Sequence, residues 1–204
     1  MFRRRREQKT DYRQRLALLR SGKMRVVVRR GLAHMHVQFI VYEQRGDRTA
    51  SETISKSLRN YGWKGHCSNL PAAYLTGLLA GLQARAKGIN EAVLATGLQT
   101  SVKGSALYAC AAGIRDAGIM LPLGSEIVPG KERIAGTHIA DYAKKLKAAG
   151  KERYQRQFSA YLRQALEPEQ LPAHFEEVKN AILAKFNAAP SEAGEEEEAW
   201  EDVK

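Results

Sequence analysis

Four consecutive arginines, Arg3–Arg6, are followed closely by Lys9, Tyr12, Arg13 and Arg15. A guanidinium offers a planar fork of donors that matches phosphate oxygens, and its plane or a tyrosine ring stacks on an unpaired base. These residue types together point to nucleic acid with accessible bases. A solvated tail or a targeting stretch is the bland alternative for such a run. Against it, the basic character continues into Lys23, Arg25 and Arg29, which share one face of an expected strand while Val26 and Val28 take the other.

Other constellations carry less chemistry. Structural zinc needs four converging ligands, usually from cysteine pairs two to four residues apart, and Cys67 and Cys110 form no such pair. His34 and His36 share a strand face beside basic residues, which reads as polar or RNA-contacting surface. No metal and no cofactor are expected. The stretch from Gly97 to Ser105 resembles a phosphate loop, but its order is Lys103-Gly104-Ser105 where nucleotide hydrolysis needs Gly-Lys-Ser/Thr. One anion at the helix start near Ser105 is the most it offers. Two-metal phosphodiester cleavage needs converging carboxylates, and Glu43, Asp47, Glu52, Glu91 and Asp116 show no paired spacing. No catalytic residue is therefore assigned. An RNA-processing enzyme is the runner-up reading, and a peripheral membrane protein a weaker third.

These side chains must be positioned by a folded body, and the composition supplies one. The chain has 204 residues, 44% of them hydrophobic, and a formal net charge of +11. Residues 1–30 hold 12 Lys/Arg against Glu7 and Asp11, whereas residues 191–204 hold seven acids against Lys204. A basic end gains affinity for a polyanion by releasing condensed counterions. The acidic tail cannot bury much apolar surface, so it is expected to be disordered. The apolar run 69–83 spans 15 residues, short of the roughly 20 that a membrane crossing needs. Met1-Phe2 leads straight into arginines without an apolar segment, so an intracellular chain is expected.

Tyr12, Leu16 and Leu19 lie at helical spacing after a capping Thr10 or Asp11, and Ser21-Gly22 ends that helix. The alternation of Met35, Val37, Phe39 and Val41 after Gly31 predicts an antiparallel hairpin with the preceding strand. A weaker third strand is expected within 49–58, and a fourth, short and parallel, within 91–97. Pro71 opens a helix whose Tyr74, Leu75, Leu78 and Leu82 are buried, and its Gly77 and Gly81 imply close packing on the sheet. A second helix covers 105–116. From Thr137 the pattern is helical, with one stripe of Tyr154, Phe158, Tyr161, Leu162 and Leu166 and another of Phe175, Val178, Ile182 and Phe186. The organisation expected is a basic arm and short helix over 1–22, an α/β core over 23–125, a helical extension over 126–190 and the tail over 191–204.

Five ordered segments are similar to one family: residues 2–12, 25–29, 60–65 (Asn-Tyr-Gly-Trp-Lys-Gly), 69–77 (Asn-Leu-Pro-Ala-Ala-Tyr-Leu-Thr-Gly) and 132–139 (Glu-Arg-Ile-Ala-Gly-Thr-His-Ile). They resemble the archaeal-type large-subunit ribosomal protein eighteen, whose eukaryotic counterpart is large-subunit protein five. The resemblance implies a cytoplasmic ribosomal protein that binds 5S rRNA and helps anchor it to the large-subunit rRNA in the central protuberance. Neighbouring ribosomal proteins are its other partners, with no small-molecule substrate and no membrane. It also implies a ribonuclease-H-like three-layer α/β/α core with a mixed sheet and no catalysis. The RNA-contacting set is then Arg3, Arg4, Arg5, Arg6, Lys9, Tyr12, Arg13 and Arg15 of the arm, Lys23, Arg25, Arg29 and Arg30 of the strand, and Tyr61, Trp63 and Lys64 of the following loop.

Overall fold

The computed structural model describes residues 1–187; the acidic tail expected over 191–204 lies outside the described residues. The sheet grows from alternation. β1 (Arg25–Arg30) pairs antiparallel with β2 (Met35–Val41), matching Val26 with Phe39 and Val28 with Val37 on one face. These residues and Met35 are shut off from solvent, while Val27, His36 and Gln38 point to the opposite face. β3 (Arg48–Ile54) pairs antiparallel with β2 and shifts register between Phe39 and Ile40. It buries Ser51 and Thr53 where the other strands bury apolar groups, and Thr53 donates to Gln83 Oε1 at 2.6 Å. That explains a strand whose sequence signal is weak. β4 (Val93–Ala95) adds parallel to β1, so the mixed sheet has the order β3-β2-β1-β4.

Two helices cover the apolar face of the sheet. α3 (Leu70–Ala86) starts at Asn69, whose Oδ1 accepts from Ala72 N at 2.9 Å, and every residue from Pro71 to Gly81 is buried. α4 (Ala106–Asp116) crosses it closely. A Cβ on Gly77 would lie 2.0 Å from the Cys110 carbonyl oxygen, and one on Gly113 would lie 2.2 Å from that of Tyr74. The glycine stripe of α3 therefore faces α4 and not the sheet, which corrects the sequence expectation. The reason is that small residues let two helix backbones approach, whereas a pleated sheet face is filled by large side chains such as Leu75 and Leu79. Cys110, sealed between the helices, has its thiol pushed up to about 12 by burial.

The carboxy-terminal helices fold back onto this core. α5 (Lys131–Ala135), α6 (Thr137–Ala149), α7 (Lys151–Gln157) and α8 (Ser159–Arg163) lead to α9 (Leu171–Asn187). Leu171, Phe175, Val178 and Ile182 of α9 join the same hydrophobic cluster as Leu75 and Ile114. Tyr154 and Phe158 build a smaller cluster with Ala143. Leu162, assigned to that stripe from the sequence, is 38% exposed, because the chain breaks between α7 and α8 and the helical spacing does not carry across.

Glu169 ties this region together: it accepts from the Tyr154 hydroxyl at 2.9 Å and lies 3.1 Å from Lys147 Nζ. Burial raises its pKa, but its backbone hydrogen bond, Tyr154 and Lys147 outweigh that and leave the carboxyl below its ordinary value. A lowered folded pKa stabilises above the unfolded value and is lost as pH falls through the folded one. We expect Glu169→Gln to cost about 1–3 kcal/mol at pH 7. It should also flatten the loss of stability below about pH 4.5, read by urea unfolding at several pH values.

Candidate nucleic-acid interface

The uncovered face of the sheet is where the arm returns. α1 (Arg3–Arg6) is one turn, and α2 (Tyr12–Leu19) is capped by Asp11, which accepts from Arg13 N and Gln14 N. Neither helix buries a residue. α2 lies over β1 and encloses with it a groove of about 600 Å³. Arg4, Lys9, Arg15, Arg25 and Arg29 line it, against two acids, Asp11 and Asp47. Its far wall is Ala95 to Gln99, the loop that leaves β4.

Asp47, from the turn between β2 and β3, organises the floor. Its Oδ1 lies 2.9 Å from Nη2 of both Arg15 and Arg25. The Arg15 contact is a directed hydrogen bond, whereas Arg25 Nη2 meets the carboxylate without hydrogen-bond geometry. Arg25 is only 5% exposed. One carboxylate thus clips the arm helix to the strand. We expect Asp47→Asn to release α2 and lower stability by about 1–3 kcal/mol, while retaining or increasing RNA affinity at low salt because two guanidiniums lose their internal anion. Thermal melts beside filter binding would check both halves.

The remaining arm and strand cations sort by partner. Arg3 and Lys9 share Glu7 at 3.7 and 3.0 Å, and Lys23 sits 2.7 Å from Glu91. Arg4 Nε donates to Thr10 Oγ1. Arg5, Arg6, Arg13, Arg29 and Arg30 are exposed and have no ion pair among the described residues. These exposed pairs contribute little to stability, so a phosphate can replace the carboxylate at small cost. Tyr12 does not stand alone: Phe2 stacks on it with ring centroids 4.9 Å apart.

Towards β3 the open face changes sign. Glu52 accepts from Gln38 at 3.1 Å and meets His36 Nε2 at 2.5 Å. Those two side chains hold its carboxyl below the ordinary range. The phosphate-attracting half of this face is therefore the side of β1, β4 and the arm.

The loop residues do not join the groove. Lys64 is exposed, and its backbone N–H donates to His174 Nε2 at 3.1 Å. Trp63 is 2% exposed and stacks on His174, so it anchors the loop from inside and offers no face to a base, a correction to its place in the contact set. Tyr61 is half-buried, with Lys185 Nζ 5.1 Å from its ring centre. Conversely, sequence reasoning missed Asp47 and the loop 97–99 as parts of the groove. Gly97, at φ +61, turns the chain there, and only its resemblance to a phosphate loop had signalled the segment. Lys103, the basic residue of that motif, points away at 75% side-chain exposure.

The acids weighed for hydrolysis are dispersed. Asp116 accepts from the Tyr74 hydroxyl, Glu43 pairs with Arg48, and Glu91, Asp47 and Glu52 serve the partners named above. Among the described residues no three metal-ligating side chains converge, and no helix is long and apolar enough to cross a membrane.

The arm, the hairpin, β3 and α3 all fall within residues 1–91, and that segment matches the family model of ribosomal large subunit proteins 60S L5 and 50S L18. Residues 1–91 are thus similar to the L5/L18 family. L5/L18 proteins are structural, non-enzymatic constituents of the large ribosomal subunit. The groove-forming arm and strands therefore lie in the segment that is similar to large-subunit ribosomal proteins. The match includes the arm and the strands that form the floor of the groove, and stops short of the 97–99 loop.

Proposed function

We propose that this protein is an L5/L18-family member that binds 5S rRNA and anchors it to the large-subunit rRNA in the central protuberance. The observation that carries the reading is the groove between α2 and β1, lined by Arg4, Lys9, Arg15, Arg25 and Arg29, on an arm and strand that also expose Arg5, Arg6, Arg13 and Arg30 without an ion pair among the described residues. Phosphates neutralised there fix the register of the RNA, and the shape of the groove selects an irregular backbone path over a regular duplex. The arm over 1–22 is the contact element and residues 23–125 are the scaffold. The helices from residue 126 present surface to neighbouring proteins.

The ribonuclease-H-like core belongs to the same reading. Three antiparallel strands followed by a parallel fourth, with a further parallel bridge between Glu91 and Met120, support it. In this view α3 and α4 form one helical layer, and α2 is a sparse second layer that leaves room for RNA.

A salt-series titration of the full chain with 5S rRNA, using transfer RNA as competitor, tests the proposal. Selectivity for 5S rRNA that persists as salt rises is the expected result. Equal affinity for both RNAs, collapsing together, would reduce the groove to a generic polyanion binder.

A further inference from the structure

A second concave site lies at the opposite end of β1 from Arg25, and neither the family nor the groove accounts for it. The hairpin turn before His34, the loop carrying Lys64 to Cys67 and the helix α8 enclose a cavity of about 190 Å³. That is below the roughly 300–1,000 Å³ of sites for drug-sized ligands, and suits one planar ring system. Its lining contains the cations Arg59 and Lys64, both exposed, and no carboxylate. His34, His66 and Tyr161 supply three rings.

The polar atoms in this lining are incompletely used. The Tyr161 hydroxyl accepts from Asn69 Nδ2 at 3.2 Å and from His66 N at 3.5 Å, which leaves its own proton to donate. That hydroxyl proton is free for an acceptor on a ligand edge. Beside the cavity, Leu32 at the hairpin tip is 99% exposed on a turn held by Gly31 N donating to His34 O at 2.8 Å. Apolar side chains presented this way pack against base steps and unstack them.

We propose that this cavity receives a single extruded base of ribosomal RNA. The ring sits among His34, His66 and Tyr161, its flanking phosphates meet Arg59 and Lys64, and Leu32 packs on the step it leaves. This rests on the RNA-binding reading above but on none of the groove residues. The closest competitor is a side chain from a neighbouring ribosomal protein, and the acid-free rim of two cations favours a nucleotide over it.

The test uses the full chain against 5S rRNA and against large-subunit rRNA, each carrying 4-thiouridine, with zero-length crosslinks mapped by mass spectrometry. Crosslinks in residues 32–34, 64–67 or 160–164 with at least one RNA are expected. Ala160→Trp, an exposed position that narrows the cavity, should weaken binding to that RNA about tenfold without changing the salt slope, because stacking and not charge is lost. Arg59→Gln with Lys64→Gln should instead shallow the slope by about one to two. Crosslinks confined to residues 1–30 and 95–99, with Ala160→Trp binding as wild type, would overturn this proposal and leave the groove intact. Absence of binding to both RNAs would overturn the two together.

Discussion

A chain lacking residues 1–15 should lose RNA affinity by roughly a hundredfold or more near physiological salt, and still fold. The deletion removes Arg3–Arg6, Lys9, Arg13 and Arg15. If about five of these meet phosphates, the log–log salt slope should shallow by about four, because each contact releases close to one counterion. Folding should persist because neither arm helix buries a residue and the main hydrophobic cluster begins beyond them. A finer comparison separates free from paired charges. Neutralising Arg5, Arg6 and Arg13 together should weaken binding more than neutralising Arg3, Lys9 and Lys23, whose carboxylate partners must first be displaced. Equal losses for the two triples would show that internal pairing does not tune the interface. Unchanged affinity of the truncated chain would remove the arm from the mechanism.

Gly77→Ala should be among the most destabilising single-methyl changes in this molecule. In an exposed helix the same substitution gains up to about 1 kcal/mol of helix propensity. Here the new Cβ would stand 2.0 Å from the Cys110 carbonyl oxygen, a backbone atom that cannot rotate away. Steric overlap decides the sign, and separating α3 from α4 should cost about 3 kcal/mol or more. That corresponds to a fall in Tm of roughly 6–12 °C for a chain of this size. Gly130→Ala is the control: its Cβ would meet nothing within 4 Å, and its backbone at φ −58 suits any residue. It should melt within about 2 °C of wild type. A mild effect at Gly77 would mean that the two helices slide apart freely, contrary to the packing described.

Local rules made the elements legible. Alternation placed Val26, Val28, Met35, Val37 and Phe39 on one face, and the structure buries all five. Pro71 marked the start of α3, and Thr10 or Asp11 that of α2, where the structure uses Asp11. The free cations of the arm were also legible, since a run of four arginines has too few neighbouring acids to be neutralised locally. The candidate contact set was less so wherever burial or a distant partner intervened. Trp63 reads as a loop aromatic, yet His174, 111 positions later in the chain, closes over it. Arg25 reads as one of several strand cations, yet Asp47 and α2 cover it.

By itself the sequence determined the charge of the arm, the two faces of the hairpin and the family that its first 91 residues resemble. These depend on residue type and on spacings of two to four, which the chain carries whatever its surroundings. Only the tertiary structure decided that the glycine stripe meets α4, that Asp47 clips the arm to the sheet, and that His34, Lys64 and Tyr161 enclose one cavity. Those relations join residues tens of positions apart, and their geometry is set by how the apolar faces close on one another. No local periodicity encodes that.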